Sequence, residues 1–448
     1  MQQILLLGGG LSSSSLIQYL LDQSKAHQWT IVIADQNQEL IQQKIRNHEQ
    51  AQAIQFDIND SASLNEWVAA SDLIISMLPA RFHPVVAEAC LQYRKNLVTA
   101  SYISPEMRAM QEEVQEKGLI FLNECGVDPG IDHMSAMKLI HKIQREGGKL
   151  TSFKSYTGGL IAPESDNNPW HYKFTWNPRN VVLAGQGVSQ YIKKGRYKYI
   201  PYHQLFSRTD RVSVLNYGEF DVYANRNSLQ YRSMYGLDDI PTMFRGTMRR
   251  PGFCQAWDVF VQLGLTSDEY TISHSDKITY REFINSFLKY DPIKPVEHKV
   301  AEYLNLDLES NEMHLLKWCG IFDDELIGKP NLTPAQILQG LLEKKWKLQP
   351  DDKDMIVMQH QFEYEMDGEE REITSSMVVI GKDTTHTAMS ITVGTPVAIA
   401  AKLILTGAIT KKGVLAPVTP EIYEPILAEL EEYNIRFIEE EKLLEPSI

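Results

Sequence analysis

Three consecutive glycines, Gly8-Gly9-Gly10, stand between the apolar run Ile4–Leu7 and a predicted helix that begins at Ser12. A buried strand, a glycine turn and a helix start in this order are typical of a dinucleotide-binding unit. The glycines let the backbone approach a pyrophosphate, which the free N–H groups and positive dipole end of the helix face. Because the third small residue of the pattern is Ser13, not glycine or alanine, an ordinary strand-to-helix turn is the alternative.

A second apolar run, residues 30–34, predicts a buried parallel strand that Asp35 follows directly. A carboxylate at that position can accept hydrogen bonds from both ribose hydroxyls of adenosine, and it repels a 2′-phosphate. The residues that follow, Gln36, Asn37 and Gln38, offer no cationic group to hold such a phosphate. The sequence therefore predicts NAD as the cofactor in preference to NADP, while a solvated loop acid or helix cap is the alternative role of Asp35.

The charge balance and the cysteines restrict the class of protein. Among 448 residues, 58 are acidic and 44 basic, which gives a formal net charge of −14. This balance disfavours nucleic acids and anionic membranes as partners. A chain of this length is expected to form two or three domains. The four cysteines are far apart and form no Cys-x-x-Cys pair, so we expect no metal site, no disulfides and a reducing cytoplasm.

We expect no segment of the chain to cross a membrane. Residues 1–3 run directly into the first predicted strand, which leaves no room for a signal peptide. The longest apolar stretch, residues 393–409, is interrupted by Pro396 and Lys402 and predicts a buried helix. These features predict a cytoplasmic protein whose partner is a small molecule.

Strand and helix patterns alternate as far as residue 128. This alternation predicts an α/β fold with a Rossmann-like, doubly wound parallel sheet, whose ligands bind beyond the carboxyl ends of the strands. Further along, strand-like runs such as 149–157 and 355–365 predict a second sheet, and residues 240–349 are predicted to be mainly helical. The loops at the ligand edge of the first sheet are 8–12, 35, 57, 78–79, 100–102 and 124–130.

Two residues at this edge, Asp128 and Tyr102, are the candidate catalytic groups. Asp128 follows the sixth predicted strand, where a nicotinamide ring would lie, although it can instead form a turn and cap the next helix. Tyr102 follows the fifth strand, where its phenol can relay a proton, donate to a substrate carboxylate or simply pack a domain seam. His133 is a third candidate base and equally suits a structural role at a helix start.

Five arginines between residues 226 and 250 stand out against the acidic background. Guanidinium groups bind carboxylates through two parallel hydrogen bonds, so a substrate with several carboxylates would need such groups. We expect two or three of the five to form surface salt bridges. Arg226 and Arg249, both in segments that read as turns, are the preferred ligands for substrate.

Several longer segments are more specific than the glycine pattern. They are Ser101–Pro105, Asn123–His133, Ser155–Leu160, Asn168–Pro169, Tyr172–Phe174, Asn225–Ser228, Arg245–Arg249 and Thr392–Ala400. On these segments, and over essentially its whole length, the chain resembles the saccharopine dehydrogenases of the L-glutamate-forming type, also called saccharopine reductases.

The resemblance implies an enzyme of lysine metabolism that oxidises saccharopine with a nicotinamide cofactor to L-glutamate and 2-aminoadipate 6-semialdehyde. It also implies a homodimer and three parts of the chain. These are a dinucleotide-binding domain of residues 1–128 completed by 392–448, an α/β substrate and dimerisation domain of residues 129–239 and 350–391, and a mainly helical insertion of residues 240–349.

The resemblance also implies positions for the ligand contacts, and Gly8 joins them on the glycine pattern. The cofactor contacts are Gly9, Gly10, Leu11, Ser12, Ala34, Asp35, Gln36, Asp57, Ile58, Leu78, Ala100, Ser101, Val127, Asp128, Pro129 and Thr175. The substrate contacts are Ser101, Tyr102, Asp128, Arg226, Thr247, Met248 and Arg249.

The chain departs from the fungal biosynthetic members at two points. Those members carry a basic residue just after the second strand, where this chain has Asp35-Gln36, and a cysteine where it has Thr157. The first departure supports NAD, and the second rules out a thiol role at that position. Three alternatives stay open: an NADP-dependent saccharopine reductase of lysine biosynthesis, a carboxynorspermidine-type imine dehydrogenase, and a non-catalytic redox sensor that binds NAD.

Overall fold

A computed structural model describes residues 2–444 of the chain, which divide into two compact units. The first unit contains the described residues up to Lys149 together with Met377–Ile438. The second contains Leu150–Ser376 together with the described residues from Glu439 onward. The domain bounds given above stay a prediction.

Strands and helices alternate through the N-terminal part of the first unit. These elements are β1 (Gln2–Leu7), α1 (Ser14–His27), β2 (Trp29–Asp35), α2 (Gln38–Ile45), β3 (Ala51–Gln55), α3 (Ser61–Ala70), β4 (Leu73–Ser76), α4 (His83–Tyr93), β5 (Asn96–Thr99), α5 (Pro105–Ala109), α6 (Gln111–Glu116), β6 (Ile120–Leu122) and α7 (Ile131–Arg145).

The second unit begins with a long strand and contains most of the remaining elements. They are β7 (Lys149–Ile161), α8 (Pro178–Val182), β8 (Val188–Lys193), β9 (Arg196–Pro201), β10 (Asp210–Ser213), β11 (Glu219–Ala224), α9 (Tyr231–Met234), β12 (Thr242–Arg249), α10 (Phe253–Gln262), α11 (Tyr280–Asn285), α12 (Val296–Leu304), α13 (Asn311–Cys319), α14 (Pro334–Trp346), β13 (Asp354–Met366) and β14 (Glu369–Ile380), the last of which runs into the first unit.

The C-terminal part of the chain returns to the first unit and ends in the second. Its elements are α15 (Ala388–Leu405), β15 (Gly413–Leu415), α16 (Pro420–Leu430) and β16 (Ile438–Leu443). Short 3₁₀ turns lie at Leu11–Ser13, Ala80–Phe82, Pro163–Ser165, Tyr202–Gln204, Ser228–Gln230, Ser275–Lys277 and Glu431–Tyr433.

The first unit is built on a seven-stranded sheet in the order β15-β6-β5-β4-β1-β2-β3. All six neighbouring pairs are parallel, which confirms the predicted Rossmann-like sheet. The strand order runs outward from β1 in both directions, so the crevice of the sheet opens at the carboxyl end of β1. Residues Ile4–Leu7 of that strand are fully buried, because helices cover both faces of such a sheet.

One helix of the first unit, α15, is long and apolar enough to cross a membrane. However, 83% of its apolar segment is buried inside the protein, as expected of a core helix. The chain passes through Pro396 without leaving the helix, which begins eight residues before that proline.

The second unit contains a nine-stranded mixed sheet with the main path β10-β11-β12-β7-β13-β14-β16, and β8 and β9 join it beside β12. Strand β12 is parallel to β7 and antiparallel to β11. The prediction that Arg249 lies in a turn is therefore wrong, since Thr242–Arg249 is an interior strand. The predicted helical region likewise begins only after this strand, at Phe253. Polar residues and one glycine, Gly246, interrupt the apolar pattern of this strand.

Candidate active site

The glycine turn forms where β1 ends, and each of its glycines meets different surroundings. Gly8 has a φ of +94°, and a Cβ atom there would lie 3.0 Å from the backbone of Met77. A Cβ at Gly9 would come within 2.0 Å of Cδ1 of Ile41, whereas one at Gly10 would meet no atom within 4 Å. The hydroxyl of Ser13 donates to the carbonyl of Gly8 over 2.9 Å, so the third small residue closes the turn.

This turn has the properties that a nucleotide pyrophosphate requires. Helix α1 starts beside it, and its N-cap residue Ser13 makes no side-chain cap hydrogen bond, although Oγ of Ser390 accepts from the backbone N–H of Ser15 over 2.9 Å. The positive end of the helix dipole faces the turn. The open space at Gly10 gives the ligand access to the backbone. Leu11 and Ser12, two of the predicted cofactor contacts, lie in the 3₁₀ turn between Gly10 and α1. The residues present therefore fit a dinucleotide.

The carboxylate of Asp35, at the end of β2, binds two backbone N–H groups. Its Oδ2 accepts from Gly9 over 2.8 Å, and its Oδ1 accepts from Asn37 over 2.9 Å. Each carboxylate oxygen retains a further lone pair, so these contacts orient the group without using up its acceptors. Both the predicted ribose contact and the alternative structural role are compatible with this geometry.

A cation that the sequence reasoning missed lies against the same turn. The Nζ atom of Lys44, in the last turn of α2, donates to the carbonyl oxygens of Gly9 and Gly10, each over 2.7 Å. Burial lowers the pKa of Lys44 to about 8, against the opposing effect of the Asp35 carboxylate. The three residues after Asp35 carry no cation, and Lys44 lies further along the chain, within the pattern of the following helix.

The remaining predicted contacts of the first unit follow the other strands of its sheet. Because all these strands are parallel, the loops that leave their carboxyl ends lie along one edge. In chain order they are Asp57 and Ile58 after β3, Leu78 after β4, Ala100, Ser101 and Tyr102 after β5, and Val127, Asp128 and Pro129 after β6.

The hydroxyl of Ser101 belongs to a buried network centred on His83. The Nε2 atom of His83 lies 2.7 Å from Oγ of Ser101, and its Nδ1 lies 2.9 Å from Oγ of Ser76. Thr99 contributes a third hydroxyl, 3.3 Å from Nε2. Desolvation lowers the pKa of His83 to about 4, so the imidazole is neutral at physiological pH. The sequence carried no signal that would have singled out His83.

The two candidate catalytic residues are in direct contact. The hydroxyl of Tyr102 donates to Oδ1 of Asp128 over 3.1 Å. Asp128 precedes a cis peptide bond to Pro129 in a tight loop, in which Gly126 donates to the carbonyl of Pro129 over 2.8 Å. A Cβ at Gly130, which has a φ of +149°, would lie 2.0 Å from the carbonyl oxygen of Gly126. The loop backbone therefore has little freedom.

His133, the third candidate base, lies in the protein interior. Its Nε2 is 2.8 Å from Oε2 of Glu124, and its Nδ1 is 3.8 Å from Oδ2 of Asp132. All three side chains are at most 3% exposed. Oε1 of Glu124 also accepts from the backbone N–H of Ile103, next to Tyr102. This arrangement favours the structural role of His133.

The predicted substrate contacts Arg226, Thr247, Met248 and Arg249, together with Thr175, belong to the second unit. Thr247 and Arg249 lie on β12, and Gly158 of β7 approaches that strand so closely that a Cβ would be 2.9 Å from Cβ of Met248. Gly158 thus admits a close approach of the neighbouring strand. Arg226 follows β11 with a φ of +48°, in the turn-like setting that the sequence predicted.

Arg249 is only 4% exposed, and its guanidinium stands among aromatic rings. Its Cζ atom is 5.2 Å from the ring centre of Tyr172 and 5.4 Å from that of Phe253. One of its nitrogens donates to the carbonyl of Met248, but the structure forms no ion pair between Arg249 and a carboxylate of residues 2–444. Within that range, Nε of Arg249, the hydroxyl of Tyr172 and Oγ1 of Thr175 are buried and lack hydrogen-bond partners.

Two family models together match almost the whole chain. The model described as "Saccharopine dehydrogenase NADP binding domain" matches residues 4–122, and the one described as "Saccharopine dehydrogenase C-terminal domain" matches residues 126–435. The chain belongs to the saccharopine dehydrogenase family. The expectation drawn from its motifs is thereby confirmed, and the nucleotide bound by the first unit is a pyridine nucleotide.

Named relatives of this saccharopine dehydrogenase family member span nearly the same length. A saccharopine dehydrogenase [NADP(+), L-glutamate-forming] of Saccharomyces cerevisiae is 36% identical over 85% of this chain and 87% of its own. Its namesake from Pyricularia oryzae is 33% identical over 96% and 97% of the two chains. The solved apo structure of a saccharopine dehydrogenase (L-Glu forming) from S. cerevisiae superposes with a TM-score of 0.89, covering 99% of this chain and 100% of that one. The names of the first two specify NADP(+).

Proposed function

We propose that this family member is a saccharopine dehydrogenase that oxidises saccharopine with NAD to L-glutamate and 2-aminoadipate 6-semialdehyde. Membership of the family supports the reaction, and the buried, unpaired guanidinium of Arg249 is the observation that carries the choice of substrate. A cation in such surroundings is costly unless an anion joins it. Saccharopine has three carboxylates, and one of them is the anion that we assign to Arg249.

A bound nicotinamide nucleotide would supply the hydride acceptor for the carbon next to the secondary amine of saccharopine. The protein has to hold and orient the nucleotide for this chemistry. In the proposal, Gly8–Gly10 and the start of α1 hold the pyrophosphate, and Asp35 accepts the ribose hydroxyls. Leu78, Ala100 and Val127–Pro129 border the space of the ring.

The substrate amine has to lose its proton before it can release a hydride, because an ammonium nitrogen has no lone pair. We assign this proton to the carboxylate of Asp128. Once the proton has passed on to solvent, the same carboxylate can activate the water that splits the imine. Since Tyr102 donates its hydroxyl proton to Oδ1, the phenol orients the carboxylate of Asp128. Tyr102 is thus a positioning residue for the base.

Carboxylate recognition falls to the second unit. Arg249 and Arg226 offer guanidinium groups, and Thr247 and Met248 border them on β12. In the first unit, the neutral His83 holds the hydroxyl of Ser101 in a fixed direction for a cofactor or substrate contact.

The choice of NAD and of the oxidative direction rests on Asp35 and on the lack of a cation among Gln36, Asn37 and Gln38. The relatives named for NADP(+) make the reductive, biosynthetic use of NADPH the second candidate. A spectrophotometric assay of the purified protein decides between them: saccharopine with NAD or with NADP in one direction, and glutamate, the semialdehyde and NADH or NADPH in the other. Faster turnover with NADP would refute the coenzyme assignment.

The same assay tests the other rivals. A carboxynorspermidine-type enzyme would prefer its own substrate to saccharopine, and a redox sensor would bind nucleotide without turnover.

We also propose that the protein is a homodimer and that it is located in the cytoplasm. The four buried free thiols suit the reducing conditions of that compartment. Light scattering of the protein as it elutes from a size-exclusion column measures its molar mass. The mass of a monomer at the concentration of the activity assay would contradict the homodimer.

A further inference from the structure

Lys44 presents a positive charge at the glycine turn, and the proposed function gives this charge no task. An ammonium group has three N–H donors, and two of them bind the carbonyl oxygens of Gly9 and Gly10. The side chain is half-buried, so it extends along the protein surface toward the turn and not into bulk solvent. The third donor has no acceptor among residues 2–444 and is available to a ligand.

The charge of Lys44 is not neutralised by an ion pair within the described residues. The neighbouring carboxylate, Asp35, binds the N–H groups of Gly9 and Asn37 instead. Because burial leaves the pKa of Lys44 at about 8, the ammonium is still charged at neutral pH. An anion and a cation therefore flank Gly9, one at its N–H group and the other at its carbonyl.

In a parallel sheet of this kind, the adenine ribose lies at the carboxyl end of the second strand, beside the glycine turn. Here that position is bordered by Asp35 on β2 and by the ammonium on α2. We propose that Lys44 is the residue that admits a 2′-phosphate, so that the protein binds NADP as well as NAD. This inference rests on the nucleotide site of the proposed function and is independent of the substrate.

The two charged groups then have opposite effects on the two nucleotides. Asp35 accepts the free ribose hydroxyls of NAD and repels a 2′-phosphate, whereas Lys44 donates to the phosphate and contributes little to NAD. Lys44 thus takes the place of the cation that is missing at positions 36–38. The alternative is that Lys44 only fastens the glycine turn, in which case it would affect both nucleotides equally.

Equilibrium binding without saccharopine separates these possibilities. Fluorescence titrations of the whole chain would measure the binding of NADH and of NADPH. The binding of 5′-AMP and of adenosine 2′,5′-bisphosphate would be measured by competition. We expect Lys44→Met to weaken the binding of NADPH and of the bisphosphate by about tenfold or more, which corresponds to the loss of a charged hydrogen bond. The binding of NADH and of 5′-AMP should weaken by less than about threefold. Lys44→Arg should retain NADPH binding within about threefold.

The matched control is Lys25→Met, at an exposed lysine of α1, and it should leave the binding of both nucleotides unchanged. Equal weakening of NADH and NADPH by Lys44→Met would overturn the inference in favour of the fastening role. Unchanged NADPH binding in that variant, or no binding of NADPH by the unmodified chain, would also overturn it. If NADPH binding depends on Lys44 as expected but the protein does not turn over saccharopine, the proposed substrate is refuted and this inference stands.

Discussion

The hydroxyl of Tyr102 donates a hydrogen bond to Oδ1 of Asp128, joining the loop after β5 to the loop after β6. If Asp128 takes the amine proton, Asp128→Asn should lower kcat by about a hundredfold or more. Tyr102→Phe should lower kcat by about tenfold, because the carboxylate loses its orienting donor. Steady-state rates and their pH profiles measure both effects.

The double variant supplies the control for this prediction. If the two residues act as one unit, the losses of Tyr102→Phe and Asp128→Asn should not add. Tyr290→Phe, at a tyrosine that is 86% exposed, should leave the rate unchanged. Full activity of Asp128→Asn would exclude Asp128 as the base.

Removing the cation of Arg249 should impair substrate use and spare the nucleotide. We expect Arg249→Met to lower kcat/KM for saccharopine by about a hundredfold, since the substrate carboxylate loses a charged partner. Binding of NADH should change by less than about threefold. The exposed Arg196→Met is the control, and thermal unfolding checks that each variant folds. A change in kcat/KM below about threefold, under 1 kcal/mol, would remove Arg249 from the substrate site.

A methyl group at Gly10 should block the nucleotide without destabilising the fold. A Cβ there meets no atom within 4 Å, and the φ of −64° suits alanine. Gly10→Ala should therefore leave Tm almost unchanged while it weakens NADH binding by about tenfold or more, because the methyl occupies the space of the pyrophosphate. Gly340→Ala, also in open space but within α14, is the control for NADH binding. Normal NADH binding by Gly10→Ala would show that the pyrophosphate lies elsewhere.

His83 should make the protein sensitive to acid. Its pKa falls from 6.5 to about 4 on folding, because burial disfavours the imidazolium. Between these values the unfolded chain binds more protons than the folded one, so the free energy of unfolding decreases as the pH falls. From pH 7 to pH 5, this group should account for a loss of about 2 kcal/mol.

Urea unfolding at the two pH values tests this, with His83→Gln as the variant that keeps a hydrogen-bonding side chain but does not titrate. The variant should lose about 2 kcal/mol less than the unmodified protein over this interval. Identical losses in the two proteins would contradict the assignment of a neutral, acid-sensitive His83.

The alternation of apolar runs and helix patterns was sufficient to predict the parallel sheet and the edge at which its loops gather. It failed at Thr242–Arg249, since a strand in the interior of a mixed sheet that carries arginines and a glycine has no clean period. The candidate site residues Asp35, Ser101, Tyr102 and Asp128 could be named because each lies at the end of a strand or in the loop that follows one. Lys44 and His83 could not, because each lies within a helix pattern and gains its partners only in the folded chain.

The sequence by itself determined the family, the order of strands and helices, and the residue types at the ends of the strands, because these depend on local pattern and on short motifs. Only the tertiary structure decided which groups meet: Tyr102 with Asp128, His83 with Ser101, and Lys44 with the glycine turn. These partners are 18 to 35 residues apart in the chain, so their contact depends on how the elements pack. The direction in which a side chain points and the electrostatic environment around it depend on that packing.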